Sequence, residues 1–155
     1  TVSNTSSQSG TDIFGGEWTS SGYTITQDYM MKDWAGKSVY GYNINGIDAI
    51  AGGTFTVNTS GTGTDIFGNQ TSTSTQITFE VVMGKTVTKQ VSSTTTGTDI
   101  LGSATTTHTS TSYNYDWKDL NANGISGKFY VPTTVSNTSS QSGTDIFGGE
   151  WASSG

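Results

Sequence analysis

Residues 10–15 read GTDIFG, and the same hexapeptide stands at residues 63–68 and 143–148 and, as GTDILG, at residues 97–102. Short segments in which polar and apolar side chains alternate flank the copies, as in Thr54-Phe55-Thr56-Val57 before the second copy. Alternation with a period of two places one side of an extended chain in a core and the other in water. Each glycine-rich copy is therefore predicted to connect two strands, which gives about three related β-hairpins.

The composition also favours strands. Thr is the commonest residue with 30 copies, and 17 aromatic residues supply apolar surface although only 30% of the chain is hydrophobic. The hexapeptides start 53, 34 and 46 residues apart, and such unequal steps disfavour a regular β-helix. We predict an all-β, antiparallel β-sandwich of Ig-like type, with an irregular β-solenoid as the alternative. The best helical window, residues 28–37, predicts at most one turn at residues 29–33.

A long repeat defines the domain organisation. Residues 134–155 match residues 1–22 at every position except that Ala152 replaces Thr19. The period of 133 residues is that of a whole domain, so we predict one module at 1–133 and the start of the next at 134–155. An artificial or circularly permuted chain is the alternative. In an array, we expect 134–155 to pair with the sheet of the preceding module and to make a stiff rod.

Charge and cysteine content exclude several classes of protein. The net charge is −6, and none of the six basic residues is Arg, which argues against nucleic acid and anionic membranes as partners. No apolar run is long enough to predict a membrane span. Without Cys, the chain has no disulfide or thiol chemistry. A bound cation is the usual alternative to disulfides for stabilising an acidic secreted domain. Because residue 1 is Thr, we expect any export signal to lie outside this sequence.

The hexapeptide resembles the calcium-binding nonapeptide of RTX proteins, with residues 61–68 the closest copy. In that family the Asp carboxylate and nearby carbonyls bind calcium, although its copies follow one another directly and these do not. The resemblance implies calcium ligands at four aspartates: Asp12, Asp65, Asp99 and Asp145. The alternative is a turn in which Gly supplies positive φ and Asp hydrogen-bonds its own backbone.

A second candidate for calcium lies in residues 116–125, DWKDLNANGI. Asp-x-Asn-x-Asn-Gly resembles the first half of an EF-hand loop, with oxygen ligands at positions 1, 3 and 5 and Gly at position 6. Calcium is therefore predicted at Asp119, Asn121 and Asn123, with Asp116 beside them. Tyr130 occupies the position of the usual bidentate Glu, and an ion-free Asn-Gly hairpin turn is the alternative.

No pattern in the sequence indicates catalysis. His108 is the only histidine and lies in a Thr/Ser run without an acidic neighbour in sequence. A nucleophile elbow and a phosphate-binding glycine loop that leads into a helix are both missing from the sequence. We therefore predict that the chain is not an enzyme.

Three functions remain open. The first is a structural or adhesive repeat of a secreted or cell-surface protein, which forms a rod or filament with neighbouring copies of itself. The second is a carbohydrate-binding module that contacts surface glycans through exposed tryptophans, of which the chain has Trp18, Trp34, Trp117 and Trp151. The third is an ice-binding array of Thr hydroxyls, ranked last because irregular spacing disfavours flat, regular rungs. In architecture and composition the chain resembles repeat modules of giant bacterial RTX-type adhesins, which implies calcium-stiffened linkers and surface attachment.

Overall fold

The computed structural model describes residues 1–122 and 125–155, and these residues form strands and turns without a helix. A four-stranded sheet contains β1 (Val2–Asn4), β4 (Ile25–Trp34), β5 (Lys37–Ile44) and β6 (Ile47–Asp48), in that order. An eight-stranded sheet contains β2 (Ser7–Thr11), β3 (Glu17–Ser21), β7 (Gly53–Thr64), β8 (Gln70–Val82), β9 (Lys85–Thr98), β10 (Ala104–Ala122), β11 (Ile125–Thr144) and β12 (Glu150–Ser154). Its order is β12-β11-β10-β9-β8-β7-β3-β2, and all neighbours are antiparallel. The prediction of an all-β fold is confirmed, and two antiparallel sheets are consistent with a β-sandwich.

The helical turn predicted at residues 29–33 is wrong, because this segment lies within β4 and pairs with β5. The hairpin between them turns at Ala35 and Gly36, both of which have positive φ. The same geometry appears at Asn45–Gly46, where φ is 46° and 79°, and there it joins β5 to β6. Two consecutive residues with positive φ are typical of the tight turns whose twist matches that of the strands they join.

The core is small and lies where the two sheets meet. Its buried apolar side chains are Ile44, Ala49, Val57, Phe79 and Val81. The ring of Tyr23 also packs against Phe79, with 5.8 Å between centroids. A backbone hydrogen bond also joins the two sheets: the amide of Gly84, between β8 and β9, donates to the carbonyl of Ala49, just after β6, at 2.7 Å.

The four hexapeptides form turns that protrude from the same end of the eight-stranded sheet. They connect β2 to β3, β7 to β8, β9 to β10 and β11 to β12. The residues that flank the turns pair across the sheet in one unbroken row: Thr11, Glu17, Thr64, Gln70, Thr98, Ala104, Thr144 and Glu150. Successive turns are two strands apart, about 10 Å at the usual strand spacing. The unequal sequence steps leave this order intact because the small sheet and the longer hairpins take up the extra residues.

The two copies of the repeated segment have different strand partners. Residues 134–144 continue β11 and pair with β10, so that Val135 lies opposite Tyr113 and Thr144 opposite Ala104. In the first copy, Val2 lies opposite Gln27 of β4, in the small sheet. Only the hairpin that follows has the same form in both copies, β2–β3 in the first and the end of β11 with β12 in the second.

Much of the eight-stranded sheet is a single layer with both faces in solvent. The accessible surface is 10,410 Å², whereas a compact chain of 16.2 kDa exposes about 7,500 Å². The buried side chains all belong to the end of the sheet away from the hexapeptide turns or to the small sheet. The half of the sheet nearest the turns is therefore held by strand pairing and cross-strand hydroxyl contacts rather than by a core.

Candidate functional site

Each hexapeptide turn is held by its own aspartate. In the second copy, Asp65 Oδ1 accepts hydrogen bonds from the amides of Phe67 at 2.8 Å and Asn69 at 2.9 Å. The Asp65 amide donates to the Asn69 carbonyl, and the Gly68 amide donates to the Asp65 carbonyl. Asp12, Asp99 and Asp145 make the equivalent bonds in the other three turns.

Glycine at the sixth position completes the turn. Gly15, Gly68, Gly102 and Gly148 have φ between 82° and 94°, a conformation that L side chains rarely adopt. The geometry of all four copies is thus that of the turn alternative, in which Asp bonds its own backbone.

These hydrogen bonds also change the acidity of two of the turn aspartates. The side-chain amide of Asn69 lowers the pKa of Asp65, with help from the backbone amides of the turn. The backbone amide of Ser103 lowers the pKa of Asp99 in the same way. Both carboxylates are therefore ionised at neutral pH and act as charged acceptors, which strengthens the turn hydrogen bonds.

A row of alternating small and large residues lies just behind the turns, and sequence reasoning missed it. The residue eight positions after the first glycine of each hexapeptide is Trp18, Thr71, Thr105 or Trp151. Each of these residues lies directly opposite the first glycine of its own hexapeptide. On their other side, Trp18, Thr71 and Thr105 lie opposite the first glycine of the next hexapeptide. We call this the glycine row; its glycines are Gly10, Gly63, Gly97 and Gly143. The signal for this row in the sequence is weak, because the three residues after each hexapeptide read GEW, NQT, SAT and GEW and have in common only a Trp or Thr at the last position.

The tips of the four turns expose apolar side chains. They are Ile13, Phe14, Ile66, Phe67, Ile100, Leu101, Ile146 and Phe147, between 47% and 92% exposed. Neighbouring turns touch in the middle of the line, where the Ile100 amide donates to Asn69 Oδ1 at 3.2 Å. The Ile100 side chain also covers Gly68, because a Cβ on Gly68 would lie 3.1 Å from Ile100 Cγ2. We call the four turns together the turn ridge (residues 12–16, 65–69, 99–103 and 145–149).

The net charge of the chain is concentrated at this ridge. Six carboxylates lie in the turns or directly beside them: Asp12, Glu17, Asp65, Asp99, Asp145 and Glu150. The six lysines all lie in other parts of the chain, where they equal the remaining six carboxylates in number. The ridge is therefore both apolar and strongly anionic.

Hydroxyl side chains form regular ranks on one face of the eight-stranded sheet. One rank crosses all eight strands and has a hydroxyl at seven of them, with Ala152 at the last: Ser9, Thr19, Thr62, Ser72, Thr96, Thr106, Ser142 and Ala152. Neighbouring hydroxyls contact each other, as in Thr19 and Thr62 at 2.8 Å and Ser21 and Ser60 at 2.9 Å. The expectation that unequal sequence spacing prevents regular rungs is wrong, because the strands are in register despite it.

An aromatic cluster lies near the opposite end of the sheet. The ring of Tyr130 stacks on Tyr115 at 5.3 Å and lies 5.0 Å from Trp117. The Tyr130 hydroxyl donates to Glu80, which also pairs with Lys89. Burial raises the pKa of Tyr130, and the hydrogen bond to Glu80 adds to the effect. Tyr130 and Trp117 line a shallow pocket of about 270 Å³.

The calcium predictions fall on two different places. The four turn aspartates lie about 10 Å apart along the ridge, each with Oδ1 bonded to backbone amides, and so do not share a common ion. Asp116 and Asp119 are exposed on β10; the side chain of Asn121 and all of Asn123 lie outside the described residues. Among the residues that the structure describes, no three His, Cys, Asp or Glu side chains are grouped to bind a metal. Calcium binding stays a prediction.

The remaining candidates are dispersed. His108 accepts or donates a hydrogen bond with the Thr94 hydroxyl at 2.9 Å, within a rank of serines and threonines. Trp18 and Trp151 lie six strands apart in the sheet, about 29 Å at the usual strand spacing, and both are partly exposed. The side chain of Trp34 lies outside the described residues. In the described part of the chain, no helix has the length and apolar character needed to cross a bilayer.

Comparison of the chain with protein-family models, with curated proteins and with solved structures gives no match.

Proposed function

We propose that residues 1–133 are a structural or adhesive repeat of a secreted or cell-surface protein, and that consecutive modules share one continuous sheet. The observation that carries the proposal is the pairing of β10 with residues 134–144, the copy of residues 1–11. In an array, that pairing joins the last long strand of one module to the first hairpin of the next. No flexible linker then separates the modules.

The glycine row supports the same arrangement. Gly143, from the second copy, lies opposite Thr105 just as Gly97 lies opposite Thr71 within the module. The strand pairing between the two copies thus has the same form as the pairing between hairpins inside a module. An array would contain three hairpins, or six strands, per 133 residues, with a rise of about 29 Å per module along the fibre.

A two-module protein tests the proposal. We expect small-angle scattering to show a stiff particle that lengthens by about 29 Å with the added module. Aligned samples of longer arrays should diffract at about 4.7–4.8 Å along the fibre axis, because the strands lie perpendicular to it. Deleting the internal copy of residues 1–22 should loosen the particle and lower its melting temperature.

The chain offers a matched control in Ala152→Thr, which restores the only residue that differs between the copies. This change should leave length and stability unaltered. Flexibly hinged modules, or unchanged melting after the deletion, would contradict the continuous sheet.

A second candidate function, ice binding, is supported by the hydroxyl ranks. Threonine and serine side chains stand at the strand spacing in one direction and at every second residue in the other, so their oxygens form a two-dimensional lattice. Such a lattice can order water in the pattern of an ice surface. Thermal hysteresis of the wild-type chain, lost in Thr62→Lys with Thr96→Lys, would support this function, and its absence in the wild type would exclude it.

A further inference from the structure

We infer that the turn ridge is a self-association surface, and that the partner seated on it is the turn ridge of a second copy of this chain. This inference goes beyond the continuous sheet of the proposed function. Pairing of β10 with β11 extends the sheet across the strands, whereas ridge contact joins two sheets end to end along the strand direction. The two contacts use different atoms and can fail independently.

Exposed apolar area is the first step of the argument. Eight large apolar side chains stand in one line, and none of the described residues packs over them enough to bury one. The largest apolar patch on a soluble monomer is often a functional contact surface. Turns need no Ile or Phe for their own geometry, because Asp and Gly alone supply the hydrogen bonds and the positive φ.

Periodicity selects the partner. The apolar pairs repeat about every 10 Å, so a complementary surface needs the same spacing along the whole line. A second ridge, turned by a half rotation, has this spacing and places one Ile-Phe or Ile-Leu pair against another at each of the four turns. Such a twofold contact is isologous and closes on itself as a dimer.

Charge sets the conditions under which the ridges can meet. Two facing ridges, each with the adjoining Glu17 and Glu150, bring six carboxylates against six with no lysine among them, so repulsion opposes contact at low ionic strength. Salt screens this repulsion, because the Debye length falls from about 30 Å at 0.01 M to about 3 Å at 1 M. Association should therefore rise with salt, which is the opposite of what a cationic partner would show.

The size of the contact predicts its strength. Four turns about 10 Å apart form a strip about 40 Å long, and one sheet is about 10 Å thick, so the footprint is about 400 Å² per partner. This is about half of the area that each partner buries in a stable interface. Dimers of this chain should thus be weak and concentration-dependent. An array with more turns would associate more strongly through multivalency.

Sedimentation of the 155-residue chain between 0.02 M and 1 M NaCl tests the inference. We expect the weight-average mass at high protein concentration to rise toward twice the monomer mass as salt increases. The triple variant Phe14→Ser, Phe67→Ser, Phe147→Ser should stay monomeric at 1 M NaCl. Tyr40→Ser with Met83→Ser, which removes two equally exposed apolar side chains outside the ridge, should associate like the wild type.

A charge variant sharpens the test. Glu17→Gln with Glu150→Gln leaves the turn aspartates in place and should shift association to lower salt. Three results would overturn the inference: a monomer at every salt concentration, association that the triple Phe variant retains, or association that salt weakens. Cosedimentation with phosphatidylcholine vesicles that depends on the three phenylalanines, without self-association, would assign the ridge to a lipid surface and overturn it as well.

Discussion

Gly143 lies directly opposite Trp151, and the indole ring occupies the space beside it so closely that a Cβ on Gly143 would stand 2.6 Å from Trp151 Cζ2. The same Cβ would stand 2.7 Å from the carbonyl oxygen of Ala104 in β10, which is backbone and has little freedom to move. Gly143 is thus fixed by its own hairpin and by the strand on the other side.

Gly143→Ala should therefore lower the free energy of unfolding by about 1–3 kcal/mol, as expected for overpacking. Gly97→Ala is the matched control, because Gly97 lies between Thr71 and Thr105 and its Cβ would crowd only the Thr105 hydroxyl at 3.0 Å, which can rotate away. Its effect should remain within about 1 kcal/mol, since Ala also restricts the unfolded chain. Urea unfolding of both variants measures the difference, and equal losses would show that the glycine row does not depend on the tryptophan.

Acid should destabilise the protein between about pH 4 and pH 2. The hydrogen bond from Lys32 lowers the pKa of Asp48 to about 2, with help from the amides of Ala51 and Ile50. Because the folded value lies below the unfolded value of 3.8, the stabilisation is complete above pH 4 and is lost as pH falls through the folded pKa. The lowered pKa values of Asp65 and Asp99 act in the same direction.

Thermal melting from pH 5 to pH 2 measures this dependence. Asp48→Asn should flatten the fall in melting temperature, whereas Asp33→Asn, which changes an exposed carboxylate of the same four-stranded sheet, should leave it unchanged. A slope identical to that of the wild type in Asp48→Asn would show that the Lys32 contact does not stabilise the fold.

Calcium is expected to raise the melting temperature if it binds only the folded chain. We place that effect at residues 116–123 rather than at the turns, because backbone amides already occupy Oδ1 of each turn aspartate. Asp119→Asn should abolish the calcium-dependent rise, and Glu17→Gln should keep it. A melting curve that chelator leaves unchanged at every calcium concentration would refute calcium binding.

The hydroxyl of Tyr130 holds the aromatic cluster to Glu80. Tyr130→Phe keeps the ring stack on Tyr115 and removes one part-buried hydrogen bond to a charged group, which should cost about 1.5 kcal/mol. Tyr130→Ala also removes the stack and should cost more. Trp117 lies against the ring, so its fluorescence should change with Tyr130→Ala and remain close to wild type with Tyr130→Phe.

Local chemistry accounts for what the sequence could predict. The turns at the hexapeptides and at Asn45–Gly46 follow from residues that need no distant partner: Asp as an acceptor for its own backbone and Gly or Asn at positive φ. The error at residues 29–33 has the opposite origin. Pairing of β4 with β5 decides that segment, and its weak local preference for a turn of helix has no influence.

The alignment of the four turns could not be predicted, because it depends on the register between hairpins up to 53 residues apart in sequence. Trp18 and Thr71 mark this register, because each lies opposite Gly63, but that pairing is known only once the strands are paired. The hydroxyl ranks and the turn ridge both follow from this register, so the candidate surfaces emerged only with the sheet itself.

The different partners of Val2 and Val135 have a consequence for how an array is made. One sequence therefore takes two paths, as an extension of β11 beside β10 and as a strand of the small sheet beside β4, so the neighbouring strand decides its path. During synthesis each completed module would offer β10 as a template for the next opening strand, and folding would proceed vectorially from the first module onward. In the array proposed above, an opening strand would therefore take its place only after the preceding module has formed β10, which gives the fibre a direction of growth that its antiparallel strands alone do not.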